Sequence, residues 1–554
     1  MPKKTQKNLT GKRAGILARQ YASADKKKLF ASGCYIIFVF AIHPLVVNLI
    51  PNTEGLGYAY YNITLMKLIS FAVSLGVLAF FSGVLALERR ALAGTHTRKG
   101  LKEHHLRIKP YEWALLAYLL IMLISALRAL SLPGGDDFSP FTGTTMRNEG
   151  FFMWAGYICA FFLVSRLSKP QFSHFIALGG TSVLVSGYAI LQYYGLDPLS
   201  LKVGSALGVN GPKMLYFSTM SNRNVFSSYL CLILPALIVM LCRGKRLSRF
   251  WILPMIWLNI YAILLGNTEG GYIALLAAVF FAIPFIVGGF SSAGRLLLAA
   301  SGLPLLMLLR RAVHWEEWGN PPYTRLTGLC LVCGIVFVVL GLGLIFLSMQ
   351  KNKPEGKEFY FLTKKPFIIG WMLMPIVFSA VLWVALPSLA EKSQGKTTQE
   401  LYELSRGVLS DSAGSNRGFI WKSALSVLPE RLLIGYGPDG LHRVFNERFN
   451  DEAKERFGVV FDKAHNEYLQ VLVDSGILGL ACLLVFYGLL LWRATRHLCK
   501  TNNGLALAAW SAGFCFLIQA FFNISTPFAN PIAWVMWGVL AALTESTSFD
   551  ASKS

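Results

Sequence analysis

Residues 326–348, LTGLCLVCGIVFVVLGLGLIFLS, contain no charged side chain and no proline. An apolar run of roughly 18 residues or more can cross the hydrocarbon core of a bilayer as an α-helix. Similar runs recur at about 30–50, 65–87, 111–132, 151–167, 173–194, 225–242, 250–266, 271–290, 295–309, 366–386, 474–492, 504–523 and 530–545, which with the first makes fourteen. The expected fold is all-α: a polytopic transmembrane helical bundle of about 14 spans with one large helical extracytoplasmic loop.

Composition agrees. Of 554 residues, 54% are hydrophobic and 15% are charged, whereas soluble chains carry about a quarter charged residues. The net charge is +23, from 52 Lys and Arg against 29 Asp and Glu. In a soluble chain this excess would suggest nucleic acid. Here no basic stretch is interleaved with aromatics, so no nucleic-acid partner is expected. The basic residues flank spans, where they attract anionic membrane lipids. All nine cysteines lie in or beside apolar runs, and the large polar loop has none, so no disulfide framework is implied. Cys330 and Cys333 form a CxxC inside a span, where helix packing is the simplest role. No small-residue cleavage site follows the first run, which reads as a helix and not a signal peptide.

The segments 88–110, 243–249, 351–365 and 493–500 are rich in Lys and Arg. With fourteen spans and the N-terminus inside, all four fall on the cytoplasmic side, as the positive-inside bias requires. Arg310 and Arg311 are exceptions. The resulting organisation is a cytoplasmic basic tail at 1–29, spans one to eleven within 30–386, a large extracytoplasmic loop at 387–473, spans twelve to fourteen within 474–545, and a cytoplasmic tail at 546–554. This describes a multi-pass membrane protein with both termini cytoplasmic.

Three polar loops fall on the outer side: 133–150, 195–224 and about 387–473. The last is too long for a connector, and long structured loops are usually functional. In it, SNRGFIWKSALSVL reads as a short helix that Ser415 or Asn416 could cap. GYGPDG turns the chain, and 441–457 reads as one amphipathic helix. The loop also carries Arg417 with Trp421, and His465-Asn466-Glu467-Tyr468-Leu469-Gln470 ahead of Asp474-Ser-Gly-Ile-Leu-Gly. A histidine can take a proton from a hydroxyl. An arginine offers a planar fork to a phosphate or diphosphate. The plainer reading is a solvated arginine and a histidine that caps a helix.

The pattern R-G-x-x-W, G-x-G-P-x-G, H-N-x-Y-L-Q and D-S-G-I-L-G-L, over about 415–480, resembles the O-antigen ligase and polymerase family of bacterial envelope proteins. That resemblance implies a membrane glycosyltransferase drawing on a polyprenyl (undecaprenyl) diphosphate-linked glycan donor. The acceptor would be a hydroxyl of a glycan or lipid. It further implies an inverting, metal-independent reaction with no cofactor. His465 is similar to the family's candidate base and Arg417 to its diphosphate-binding residue; Trp421, Asn466 and Glu467 are candidate substrate contacts.

Two upstream patches resemble relatives as well. Arg147 opens an Arg-x-x-Gly, and Asn222-Arg223-Asn224 matches an Asn-x-Asn turn. Both place an arginine near the outer headgroup level, where snorkelling is the alternative. Glu269, in GNTEGGY, interrupts the apolar stretch 250–290; it sits either at membrane depth or at an outer turn, and the flanking glycines favour the turn. Relatives often carry arginine there. Gly435-x-Gly437-x-x-Gly440 is not a dinucleotide fingerprint, since no βαβ unit fits the loop. His314-Trp-Glu316-Glu317 lacks the second histidine of a metalloprotease site. The competing functions are a lipid-linked glycan flippase or transporter, and a protein O-glycosyltransferase. A flippase predicts charged residues along a central cavity, whereas these spans read as nearly charge-free.

Overall fold

The fold is that of a computed structural model. It describes residues 23–47, 56–94, 108–131, 138–145, 147–199, 201, 218–220, 222–244, 246–313, 325–350, 362, 364–392 and 396–545. The tail 546–554, residues 202–217, the segment around His314, Glu316 and Glu317, and the basic stretch 351–361 lie outside the described residues.

The helices of the bundle are α1 Ser23–Leu45, α2 Leu56–Gly94, α3 Pro110–Ala129, α4 Phe151–Leu167, α5 Phe172–Tyr193, α6 Arg223–Arg243, α7 Arg246–Gly266, α8 Glu269–Ile286, α9 Phe290–Val313, α10 Arg325–Gln350 and α11 Lys365–Lys392. Four short helices follow: α12 Lys396–Ser405, α13 Ala413–Val427, α14 Gly440–Arg448 and α15 Asn450–Phe457. The chain then returns through α16 Glu467–Leu498, α17 Gly504–Ala520 and α18 Asn530–Leu543. Ten of these helices are long and apolar enough to cross a membrane, and four more are apolar but shorter. Together they match the fourteen expected runs, and the chain is a polytopic all-α membrane protein. One two-residue hairpin, β1 Phe138–Ser139 with β2 Gly143–Thr144, lies in the loop before α4.

Several boundaries differ from the sequence reading; α2, for example, starts at Leu56 and not near 65. Likewise, α1 begins at Ser23, inside the expected basic tail. In turn, α16 begins at Glu467, ahead of 474, because the Asn466 side chain accepts from the Tyr468 and Leu469 amides at 3.0 and 3.2 Å; those amides would otherwise lack partners at a helix start. The single helix expected over 441–457 is two, broken at Phe449 (φ −130°). Asn450 holds the break by accepting from the Phe461 amide at 3.1 Å.

Every residue of α6 from Val225 to Cys242 is buried. This helix forms the centre of the bundle, with α7, α8 and α17 packed around it. At the periphery, α11 is fastened by Trp371, whose indole donates to the Phe280 carbonyl at 2.9 Å and stacks on its ring at 4.6 Å. At one end of the bundle, Arg166 forks onto Glu112, Lys109 pairs with Glu545, and Arg243 donates to Asn502 at 2.7 Å. At the other end α4, α6, α8, α16 and α18 all begin, and the connection 521–529 joins α6, α8, α16 and α18.

The spans are less free of charge than the sequence suggests. Lys67 is fully buried, donating to the His43 and Pro44 carbonyls at 2.7 Å each. Arg295 is also buried and donates to the Cys242 carbonyl at 2.6 Å. Both bonds go to carbonyls at helix ends, an interaction that suits a cation at a helix C-terminus.

The helix α16 kinks at Gly476, where φ is +70° and the segment 432–437 lies against the break. There Ile477 donates to Leu432, Tyr436 to Val473 and Gly437 to Asp474, at 2.8 to 2.9 Å. A Cβ at Gly476 would lie 2.3 Å from the Leu433 carbonyl carbon, whereas Gly488 on the same helix has open space. Gly476→Ala should therefore lower the melting temperature of the detergent-solubilised protein. Gly488→Ala should leave it unchanged or raise it, since alanine stabilises a helix interior by ~0.5–1 kcal/mol. Equal effects of the two substitutions would show that the kink is not constrained.

Candidate active site

The connection 521–529 has no regular helix of its own, and it collects the candidate residues. The Arg417 guanidinium donates to the Phe522 carbonyl at 3.0 Å. Asn523 donates to the Asn224 carbonyl at 2.9 Å, next to Arg223. The Ser525 amide donates to Glu467 at 2.6 Å, and its hydroxyl bonds the same carboxylate. Gly270 abuts Phe522 so closely that a Cβ would fall 2.5 Å from the Phe522 Cβ. The first turns of α6, α8, α13 and α16 therefore meet around one short segment.

Arg417 follows three left-handed residues, Gly414, Ser415 and Asn416. Neither Ser415 nor Asn416 caps the helix among the described residues; the Phe419 amide bonds the Asp411 carbonyl at 3.1 Å instead. Four residues on, Trp421 donates its indole N–H to the Ala464 carbonyl at 2.9 Å and sets its ring on Phe521 at 5.7 Å. Trp421 thus ties α13 to the residue before His465, and Arg417 and His465 fall within electrostatic reach of each other. Burial lowers the affinity of Arg417 for its proton, and the Glu269 carboxylate opposes that. Glu269 itself is exposed at the first turn of α8, after Asn267 (φ +48°) and Thr268, so the expected turn is present.

His465 has φ +50°. A left-handed backbone costs a non-glycine residue about 1–2 kcal/mol. Its imidazole makes no hydrogen bond among the described residues. Burial, then the Arg417 charge, push its pKa down to about 4; Arg147 adds to this and Asp462 opposes it. Seven non-glycine residues have positive φ among the described residues. Six of them lie in segments that carry candidate groups: Asn148, Asn267, Ser415, Asn416, Asp439 and His465. Strain of this kind persists only where the surroundings enforce it.

The upstream patches divide. Arg147 is held by Asp462 through Nε at 2.6 Å and Nη2 at 3.2 Å. Arg223 is exposed on α6, has no partner among the described residues, and follows Asn222, whose side chain caps the helix by accepting from Val225 at 2.9 Å. Asn466 and Glu467 are occupied by the α16 amides and by Ser525 respectively.

Several contributing groups escaped the sequence reading. Lys463 is buried and pairs with Asp439 at 2.6 Å. Burial alone would lower its pKa, but Asp439, Asp474 and Glu149 raise it. Asp439 also accepts from the Thr144 amide and hydroxyl at 2.7 and 2.8 Å, which docks the β1–β2 loop. Asp462 and Lys463 were visible as charges beside the histidine motif. Nothing in the sequence pointed to 521–529.

The sequence profile of the O-antigen ligase family matches residues 332–484. Over that stretch the chain is similar to the O-antigen ligase family. The matched stretch contains Arg417, Trp421, Asp462 and His465, and supports a membrane role in glycan transfer. Arg147, Arg223 and Glu269 lie upstream of it, brought to it by the fold. No curated protein matches the chain.

Glu149, next to Arg147, is buried; Tyr157 donates to one of its oxygens at 2.8 Å and the other has no hydrogen-bond partner among the described residues. Burial pushes its pKa up to about 8, against the pull of Lys463. The native state therefore keeps a proton that the unfolded chain releases, so stability falls as pH rises from the ordinary carboxylate range to about 8. Glu149→Gln cannot ionise. Its melting temperature should fall less between pH 5 and pH 8 than that of the wild type; identical slopes would mean Glu149 is ionised throughout.

Proposed function

We propose that this chain transfers or polymerises a glycan from a polyprenyl diphosphate carrier onto an acceptor hydroxyl, at the extracytoplasmic face of a bacterial inner membrane. The observation that carries this reading is that Arg417 and His465, 48 positions apart, lie within electrostatic reach of each other, with Arg417 bonded to the Phe522 carbonyl and Trp421 of the same helix bonded to the Ala464 carbonyl. Sidedness follows from the basic residues gathered at the opposite end of the bundle, which the positive-inside bias assigns to the cytoplasm.

In this reading the diphosphate lies between Arg417 and Arg223. The starts of α6, α8 and α16 add partial positive charge, which favours anions. The acceptor oxygen attacks the anomeric carbon, and His465 takes the hydroxyl proton. The bond from that carbon to the phosphate oxygen breaks, and its electron pair leaves on the diphosphate, stabilised by the guanidinium. One direct displacement inverts the anomeric centre. A diphosphate leaving group requires no nucleotide.

The low basicity of His465 in the free protein fits a site that awaits an anion. Bound diphosphate offsets the Arg417 charge, so the imidazole becomes a stronger base only when donor is present. Lys67 and Arg295, two buried cations within the spans, donate to backbone carbonyls, and the buried Glu112 is paired with Arg166. That favours transfer over transport.

In a cell-based glycan-transfer assay, His465→Ala should reduce product by ~10²-fold or more at equal protein level. Arg417→Lys keeps the charge but loses the fork, and should also fail to restore transfer. Full activity of His465→Ala would remove the proposed base, and wild-type behaviour of Arg417→Lys would remove forked diphosphate recognition. The acid limb of kcat should lie at higher pH than that of kcat/KM, because the first reports the donor complex and the second the free protein. Coincident limbs would contradict the coupling of donor binding to His465.

A further inference from the structure

We propose that Asp462 is a positioning residue for His465, and that Arg147 is its fixed counter-ion and not a ligand of the donor diphosphate. The proposal rests on the reading of His465 as the base.

The geometry gives Asp462 two tasks. Its carboxylate grips Arg147 through two nitrogens, at 2.6 and 3.2 Å, across 315 positions of sequence. This fork is the stronger and more directional form of an ion pair. It fastens the loop before α4 to the turn 462–465, beside the second fastening from Lys463 through Asp439 to Thr144. On the other side, Trp421 holds Ala464. The three residues before His465 are thus each fastened, Asn466 after it caps α16, and between them His465 is held in a left-handed conformation that it would otherwise leave.

The second task is electrostatic. The charges acting on the imidazole are Arg417 from α13, Arg147 from the loop before α4, and Asp462 from its own turn. The two guanidinium groups make the imidazole a weaker base, and the carboxylate opposes them. Asp462 engages two of Arg147's nitrogens. Arg417 spends one bond on a backbone carbonyl, and Arg223 is exposed. The groups open to an anion are therefore Arg417 and Arg223.

The test is the pH dependence of carbethoxylation of His465 by diethyl pyrocarbonate, read by peptide mass spectrometry on the full-length protein in nanodiscs. The reagent attacks only the neutral imidazole, and the chain's other histidines serve as internal references. The wild-type midpoint is expected near pH 4. Arg147→Ala removes a positive neighbour, so the midpoint rises by about one unit and the reaction slows at pH 4 to 5. Asp462→Asn removes the opposing negative charge, so the midpoint falls and the reaction at pH 4 is faster than in the wild type. Asp462→Glu returns the wild-type profile. A merely structural role moves Arg147→Ala and Asp462→Asn the same way, toward the ordinary histidine value, because loosening the turn exposes the imidazole. That common direction, or no change in either variant, overturns the proposal. The titration needs no glycan donor, so such a failure leaves the transfer reading standing, and loss of that reading leaves the titration valid.

Discussion

The backbone of Phe522 to Ser525 is the constraint on which the candidate site depends. The Phe522 carbonyl binds Arg417, Asn523 binds the first turn of α6, and Ser525 binds Glu467 at the start of α16. Two residues further, the Pro527 carbonyl lies 2.9 Å from the His43 ring. A single hydrogen bond of this kind contributes only ~0.5–1.5 kcal/mol net. A buried polar group left without a partner costs more, so the set is enforced by the penalty for breaking any one of its bonds. Irregular backbone at the end of a membrane bundle needs such partners, and here they are supplied by the helix starts that carry the candidate residues.

The arrangement concentrates positive charge while keeping the histidine neutral. Arg417 sits among helix starts whose partial charges have the same sign, with Glu269 as the nearby negative group. Burial and then the Arg417 charge hold a proton off His465, and the same positive charge attracts an anion. In the proposed reaction the base and the leaving-group stabiliser are thereby linked through one field. The strained backbone at Asn267, at Ser415 and Asn416, and at His465 lies at or within two residues of Glu269, Arg417 and His465.

The membrane architecture was legible in the sequence because apolar runs of spanning length have no soluble equivalent. The break at Phe449 was not, since the apolar spacing of Val444, Phe445 and Phe449 fits one helix as well as two. Arg417 and His465 could be singled out from their surrounding motif. Their convergence could not, because it runs through Trp421 to Ala464 and through Phe522, which lies 105 positions after Arg417. The role of Arg147 was hidden for the same reason: an ion pair across 315 positions leaves no periodic trace. Lys67 sat unremarked within an apolar run because its partners are backbone carbonyls, which sequence does not distinguish.

The central claim of the proposal is spatial: Arg417 and His465 face one space beside the Phe522 turn, and a lipid-linked diphosphate binds there. A cryo-EM structure of the full-length protein in nanodiscs with a bound polyprenyl diphosphate tests it most directly. The account predicts diphosphate density within hydrogen-bond distance of the Arg417 guanidinium, with the His465 ring facing the same cavity. Density at the opposite, lysine- and arginine-rich end of the bundle, or Arg417 and His465 facing separate spaces, would contradict it.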